Sequence, residues 1–467
     1  MEEHATKLVL LLLGTAFLAA LTWWRPMIGC FIYLASSALD YLLSLAGFAT
    51  SGLFSVGQGM LVLLAAVSLI KWFAFGHHLT QPVRGLFIRM ALFTVAMWLS
   101  VLFGLWPANS SYLAAVITAT TFIPFIFYTL VDNLKRLELL LWALGLGVTL
   151  SAVIGCLQFG GVLQTISEKD RAVVDDTRGA VMQYNERDGQ SAEGTRYTGP
   201  MKNPNGFGLI LMSGIPALYY LVTSKRSVFQ KTVALASMAT CGFALLLTMS
   251  RTFIVGFFFF LVLMTFYNWS GNWLKRILYW MLGIVVAVVF GLVLLSMEGV
   301  GGRLMAGFED GGDTSTQARS SVMLGGLKAC ADHPFFGIGL NNTSVAGYNA
   351  TGNASHDIVS TLSGELGAVG MLIFGLLVWQ AFKLLPGAKA FEANARPELA
   401  SICSMTTAAL IVCLISGLGD PVIDSRPLWI WFGLCAVLNR LHELESTDGE
   451  PMNINYDQPP GEIPTAA

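Results

Sequence analysis

Long apolar stretches broken by short polar ones run through most of the chain. Apolar runs of roughly 18 to 22 residues match the length an α-helix needs to cross about 30 Å of hydrocarbon. They lie near 7–24, 27–48, 54–74, 85–106, 111–132, 136–158, 204–223, 230–249, 251–268, 277–297, 358–384, 398–418 and 426–441. In lipid the backbone must satisfy its own hydrogen bonds, so these runs predict helices rather than open strands. The pattern predicts an all-α polytopic membrane protein with about 12 transmembrane helices, 13 if both N-terminal runs cross. At that pair Arg25 and Pro26 leave room only for a very tight turn. Residues 1–442 read as one transmembrane domain, and 443–467, poor in apolar side chains, as a disordered tail.

The polar breaks carry a second pattern. Lys71 with Arg84 and Arg89, Lys135–Arg136, Lys225–Arg226 with Lys231, Lys275–Arg276, and Lys383 with Lys389 and Arg396 fall in one alternating set of loops. The intervening loops near 107–110 and 419–425 contain neither Lys nor Arg. Basic loops stay cytoplasmic, so the long loops at about 159–203 and 298–357 are expected on the periplasmic side of a bacterial inner membrane, with short helices in them. The first run lacks a basic leader and a clear cleavage site, so no removable signal is expected.

Composition agrees: 55% of residues are hydrophobic, 12% are charged, and mean hydropathy is +0.64. These values exclude an ordinary soluble domain, and the net charge of -2 gives no reason to expect a nucleic-acid partner. Of seven cysteines only Cys330 falls in an external loop, so no structural disulfide is expected, and no Cys/His spacing reads as a metal site.

Polar groups that gather at one membrane face mark where chemistry is expected. Four clusters stand out on the predicted periplasmic side. The first runs from Arg196 through Lys202, Asn203 and Asn205 into an apolar run, where the asparagines suit either helix capping or ligand binding. Ser250-Arg251-Thr252 sits between two apolar runs with almost no loop; Arg251 either snorkels or presents a fixed cationic fork to a phosphate. Arg319 precedes Asp332-His333-Pro334-Phe-Phe-Gly337-Ile-Gly339, a helical stretch ended by a turn. His356-Asp357 opens the last cluster, followed by Gly364, Gly367 and Gly370. Histidine is the side chain best suited to proton transfer near neutral pH. Asp420 and Asp424, with Arg426, lie at the same edge and either orient a ligand or pair with one another. The acidic groups Asp175-Asp176 and Glu309 to Asp313 read as solvated loop.

The order of these clusters resembles the O-antigen ligase and polymerase superfamily across residues 195–440. His356-Asp357, nine residues, Gly367, two residues and Gly370 resemble the ligase signature, in which the second position is more often Asn, Ser or Gln; Asp357 departs from it. The resemblance implies a GT-C-like, metal-independent, inverting glycosyltransferase without cofactor. Its donor would be undecaprenyl-diphosphate-linked O-antigen and its acceptor lipid A-core, both carried by membrane lipids. On that reading Arg251 and Arg319 hold the diphosphate and His356 takes the acceptor proton, with Arg196, Lys202, Asn203, Asn205, Asp357 and Asp420 binding substrate. Three alternatives stay open: an O-antigen polymerase, a protein O-oligosaccharyltransferase, and a lipid-linked glycan transporter.

Overall fold

A computed structural model describes residues 17–45, 55–75, 79–163, 197–201, 203–267, 314–343, 347–348, 357–385, 397–420 and 422–447. Arg196, Lys202, His356, the Arg319 side chain, the span expected at 277–297 and the acidic groups at 175–176 and 309–313 lie outside the described residues. The described chain is helical throughout. In order the helices are α1 (Phe17–Trp24), α2 (Pro26–Leu34), α3 (Ser36–Leu45), α4 (Val56–Phe75), α5 (Gln81–Phe103), α6 (Pro107–Thr120), α7 (Ile123–Leu130) and α8 (Leu134–Phe159). They continue as α9 (Pro204–Thr223), α10 (Val228–Leu247), α11 (Arg251–Tyr267), α12 (Thr314–Asp332), α13 (Gly367–Leu384), α14 (Pro397–Ser416) and α15 (Arg426–Thr447).

This is an all-α polytopic membrane protein. Among the described residues eight helices are long and apolar enough to cross a membrane, or nine if the bent α1–α2 pair counts as one span. The sequence expectation of about 12 thus exceeds the spans that pass on length and composition. Part of the difference has visible causes. The chain bends by 120° at Arg25–Pro26, and the run expected at 27–48 breaks again at Ala35. α11 is short, and α15 is amphipathic in composition because its second half carries Asn439, Arg440 and His442. α15 also runs to Thr447, past the expected tail boundary at 443, because backbone hydrogen bonding continues where hydropathy has already fallen.

Helix starts follow local chemistry. Proline stands in the first turn of α2, α5, α6, α7 and α9, where its missing N–H costs nothing. Asn133 caps α8 by accepting from the Arg136 N–H at 2.9 Å, and Ser227 with Gln230 forms a capping box on α10.

α15 is the axis of the bundle. Trp429, Trp431 and Phe432 are fully buried on it, with Phe93 of α5 at 6.3 Å from the Trp429 ring. α8, α9 and α10 pack together on one side, α5 lies along α13, and α14 bridges α9, α11 and α15. Lipid chains are as apolar as leucine, so close packing rather than water exclusion must hold spanning helices together. Gly145 of α8 receives Leu218, and Gly214 of α9 receives Val148, so each helix seats a side chain of the other. Outward positions such as Val62, Phe73, Leu102 and Leu372 are exposed and apolar, as lipid contact requires.

The two ends differ. At one lie Asp132–Arg136 and Glu138–Arg226 ion pairs, and the Arg440 guanidinium, which donates to the Tyr128 carbonyl and lies 5.0 Å from its ring. The opposite end gathers the polar clusters singled out in the sequence.

Candidate functional site

The site end is built by backbone crossing backbone. The loop after α12, residues 333–343, runs beneath the turn that leads into α13. Ile338 N–H donates to the Gly364 carbonyl at 3.0 Å and Gly339 N–H to the Glu365 carbonyl at 3.1 Å. Leu105 N–H, just after α5, donates to the Ile338 carbonyl at 2.9 Å. Side chains of α5 and α6 lock the same loop. Ser100 Oγ donates to the Glu365 carbonyl at 2.5 Å, Ser110 Oγ to the Leu340 carbonyl at 2.7 Å, and Asn109 Nδ2 to Asn342 Oδ1 at 2.9 Å.

Such crossings leave no room for Cβ atoms. At Gly337 (φ 68°) a Cβ would lie 2.5 Å from the Glu365 backbone, and at Gly367 (φ 67°) 2.5 Å from the Gly337 nitrogen. The glycines noted in the sequence as a turn and a helix mouth are the two halves of one contact.

Asp357 starts this turn. Its carboxylate accepts from the Ser360 N–H at 2.7 Å and from Ser360 Oγ at 2.5 Å, capping a single helical turn, Ile358–Ser360. The chain then widens into a π turn at Thr361–Glu365, closed by Leu366 N–H on the Thr361 carbonyl at 3.1 Å. Insertions of this kind recur at functional sites because they redirect the side chains that follow.

Here the π turn carries Glu365, only 2% exposed, toward a cavity of about 420 Å³. Asn203, Asn341, Thr361, Asp420, Asp424 and Arg426 also line it, together with apolar side chains from α6 and α9. Thr343 Oγ1 donates to Glu365 Oε1 at 2.7 Å, and the N–H groups of Asn341 and Thr343 donate to the same carboxyl. Burial pushes the Glu365 carboxyl up to about 7 against those hydrogen bonds, with nearby Asp424 adding to the rise. Asp424 is also pushed up to about 7 by burial, opposed by its own N–H. Its side chain is half-buried and lines the cavity.

Of the other described candidates, Asn203 and Asp420 line this cavity. Asn203 caps α9, its Oδ1 accepting from the Asn205 N–H at 2.8 Å, and also stands on the cavity wall. Asn205 Oδ1 accepts from Ser250 Oγ at 3.0 Å, tying the first cluster to the second. Arg251, half-buried, opens α11 after a tight turn through Met249 (φ 49°). The next residue, Thr252, packs on Gly419, beside the 7%-exposed Asp420. Arg319 lies on α12, whose Gly326 meets Gly364 and Ser360 at close range.

Arg426 is not joined to the acidic pair beside it. Its Nη1 donates to Ser36 Oγ at 2.6 Å and to the Tyr33 carbonyl at 3.5 Å, and the guanidinium lies 5.0 Å from the Tyr33 ring. It anchors α2 and α3 to the start of α15. Among the described residues no group of three or more His, Cys, Asp or Glu side chains is arranged to hold a metal ion.

Glu365, Thr361, Asn341 and Thr343 were not singled out by sequence. A signal existed for Glu365, a lone ionisable residue at the head of the apolar run at 358–384.

Residues 236–375, from α10 through the π turn to the first half of α13, match the family model described as O-antigen ligase. Over that segment the chain is similar to the O-antigen ligase family. The matched segment supplies Arg251, Arg319, the 333–343 loop, Asp357 and Glu365, while Asn203, Asp420 and Asp424 come from outside it. That likeness supports a function of O-antigen ligase or polymerase type in lipopolysaccharide biosynthesis. No curated protein matches the chain.

Proposed function

We propose that this protein is an inverting glycosyltransferase that moves an O-antigen glycan from undecaprenyl diphosphate to lipid A-core at the periplasmic face of a bacterial inner membrane. The observation that carries the reading is the convergence of the matched segment with Asn203 and Asp420 around one polar cavity, at the end of the bundle opposite the basic loops. Interfacial chemistry on a lipid-borne substrate needs such a site, with charges at one face rather than along the midplane.

In the proposed reaction an acceptor hydroxyl oxygen attacks the anomeric carbon of the donor sugar. The bond from that carbon to the diphosphate oxygen breaks, and its electron pair leaves with undecaprenyl diphosphate. His356 takes the hydroxyl proton. Arg251 and Arg319 stabilise the charge that grows on the diphosphate, with Arg196 and Lys202 assisting. Asn203, Asn205 and Asp420 position the sugars. Asp357 has its carboxylate engaged by Ser360, so its contribution is to hold the turn that follows His356 in sequence.

The test is transfer in vitro from undecaprenyl-diphosphate O-antigen to purified lipid A-core in EDTA, with the parent chain, His356→Ala and Arg319→Ala. Transfer by the parent and its loss in both variants is the expected result. A donor that grows longer, or a labelled protein, with lipid A-core untouched would replace ligase by polymerase or protein oligosaccharyltransferase. No movement of glycan to any acceptor would favour transport.

A further inference from the structure

The cavity differs in character from a diphosphate site. Three carboxyl side chains, Glu365, Asp420 and Asp424, line it, and Arg426, the one cation lining it among the described residues, is held by Ser36 and Tyr33. A diphosphate placed there would meet acidic side chains and, among the described lining residues, no cation but the engaged Arg426, in a partly enclosed site where charges are weakly screened. Sugar hydroxyls would not, because they donate hydrogen bonds and carboxyl oxygens accept them.

Acceptor capacity is left over. Glu365 receives three donors from the 333–343 loop, against about four acceptor positions on a carboxylate. Asp424 is bonded by its own N–H. Glu365 is thus a buried polar group that keeps acceptor capacity at the cavity, and the half-buried Asp424 lines the same space. The lining also includes apolar side chains, Ile117 of α6 and Leu209 of α9. Hydrogen-bonding and apolar groups in one lining suit a pyranose ring, which has hydroxyls at its edge and C–H groups on its face. The volume of about 420 Å³ corresponds to roughly fourteen waters at about 30 Å³ each, ample space for a sugar unit.

We propose that this cavity is a subsite for one neutral, hydroxyl-bearing sugar ring, with Glu365 and Asp424 selecting against sugars that carry carboxylate or phosphate. The inference rests on the transfer reading above and assigns its specificity. Thr252, next to Arg251 in the chain, packs on Gly419 beside Asp420; in this proposal a diphosphate held at Arg251 would let the sugar bonded to it enter the cavity. The same chemistry would fit the terminal sugar of the acceptor.

The test uses the full chain in lipid nanodiscs and three probes: undecaprenyl diphosphate, the same lipid bearing N-acetylglucosamine, and the same lipid bearing glucuronic acid. The neutral-sugar lipid is expected to bind about tenfold more tightly than the bare lipid, and the glucuronic lipid no more tightly than the bare one. Asp424→Asn and Glu365→Gln should each weaken the discrimination against glucuronic acid about tenfold. Leu209→Phe, which enlarges an apolar side chain of the lining, should abolish the sugar preference without altering binding of the bare lipid.

Discrimination that appears in the KM for neutral against acidic acceptor saccharides, and not in donor binding, assigns the subsite to the acceptor and upholds the proposal. Equal binding of all three lipids, together with acceptor KM values indifferent to sugar charge, would overturn it. Sugar preference without transfer to any acceptor would sink the transferase reading while leaving the subsite standing; transfer without any sugar preference would do the reverse.

Discussion

Replacing Gly367 with alanine tests whether the site end is held by backbone contact. Gly367 has φ 67°, and its absent Cβ would lie 2.5 Å from the Gly337 nitrogen and 2.6 Å from the Phe335 carbonyl oxygen. A non-glycine residue in this region costs about 1–2 kcal/mol. Forcing a methyl into a filled site costs typically 1–3 kcal/mol more. The neighbours cannot step aside cheaply, because Ala368 N–H is bonded to the Pro334 carbonyl at 2.8 Å and Ile338 N–H to the Gly364 carbonyl at 3.0 Å. The sum is about 2–5 kcal/mol of destabilisation. Gly375, further along α13, is the control: a Cβ there meets nothing within 4 Å. Alanine in an open helix interior should stabilise by up to about 1 kcal/mol. The two variants therefore differ in sign. Unfolding by dodecyl sulfate in mixed micelles, followed by tryptophan fluorescence, should give a lower midpoint for Gly367→Ala and an equal or higher one for Gly375→Ala. A Gly367→Ala midpoint at or above that of the parent would refute the close-crossing account.

Two further outcomes follow from the same region. Glu365 and Asp424 have folded-state pKa values raised to about 7, so between their unfolded values near 4 and pH 7 the folded chain holds protons that the unfolded chain has released. The stability they contribute is complete below that window and lost as pH rises through about 7; the parent should resist dodecyl sulfate better at pH 5 than at pH 8, and Glu365→Gln should flatten the difference. A steeper pH dependence in Glu365→Gln would contradict the assignment. At Asp357, alanine should lose about 1 kcal/mol by removing the cap on Ser360, whereas asparagine, which caps equally well, should hold stability and transfer near the parent level; equal loss in both variants would mean the charge, not the cap, is what matters.

Much of the architecture was legible because lipid imposes a simple rule on backbone hydrogen bonds. The spans at 54–74, 85–106, 204–223 and 398–418 reappear within a few residues as α4, α5, α9 and α14. The failures lie where hydropathy and geometry part. Hydropathy registers no turn at Ala35, and it cannot tell a lipid-facing helix from the buried axis formed by α15. The site was partly legible. Asn203 and Asp420 were marked by polarity at a predicted membrane edge, and both line one cavity. Glu365 carried a signal as a lone charge at the head of an apolar run, but the π turn that brings it to the cavity has no local propensity to announce it.

The π turn also gives the departure at Asp357 a physical meaning. Asp, Asn and Ser share the ability to accept a hydrogen bond from a backbone N–H at a helix start. Asp357 does this at Ser360. The spacing from there to Gly367 is then a constraint on length: one capped turn, one widened turn, and a left-handed glycine that lets α13 begin against the 333–343 loop. Within that fixed length Glu365 is the residue whose carbonyl is bound by Gly339 and Ser100 while its side chain lines the cavity. The glycines fix the backbone, and the backbone aims the carboxyl. A substitution at either glycine should therefore disturb sugar selection before it unfolds the bundle, because the helices that carry most of the packing lie away from the crossing.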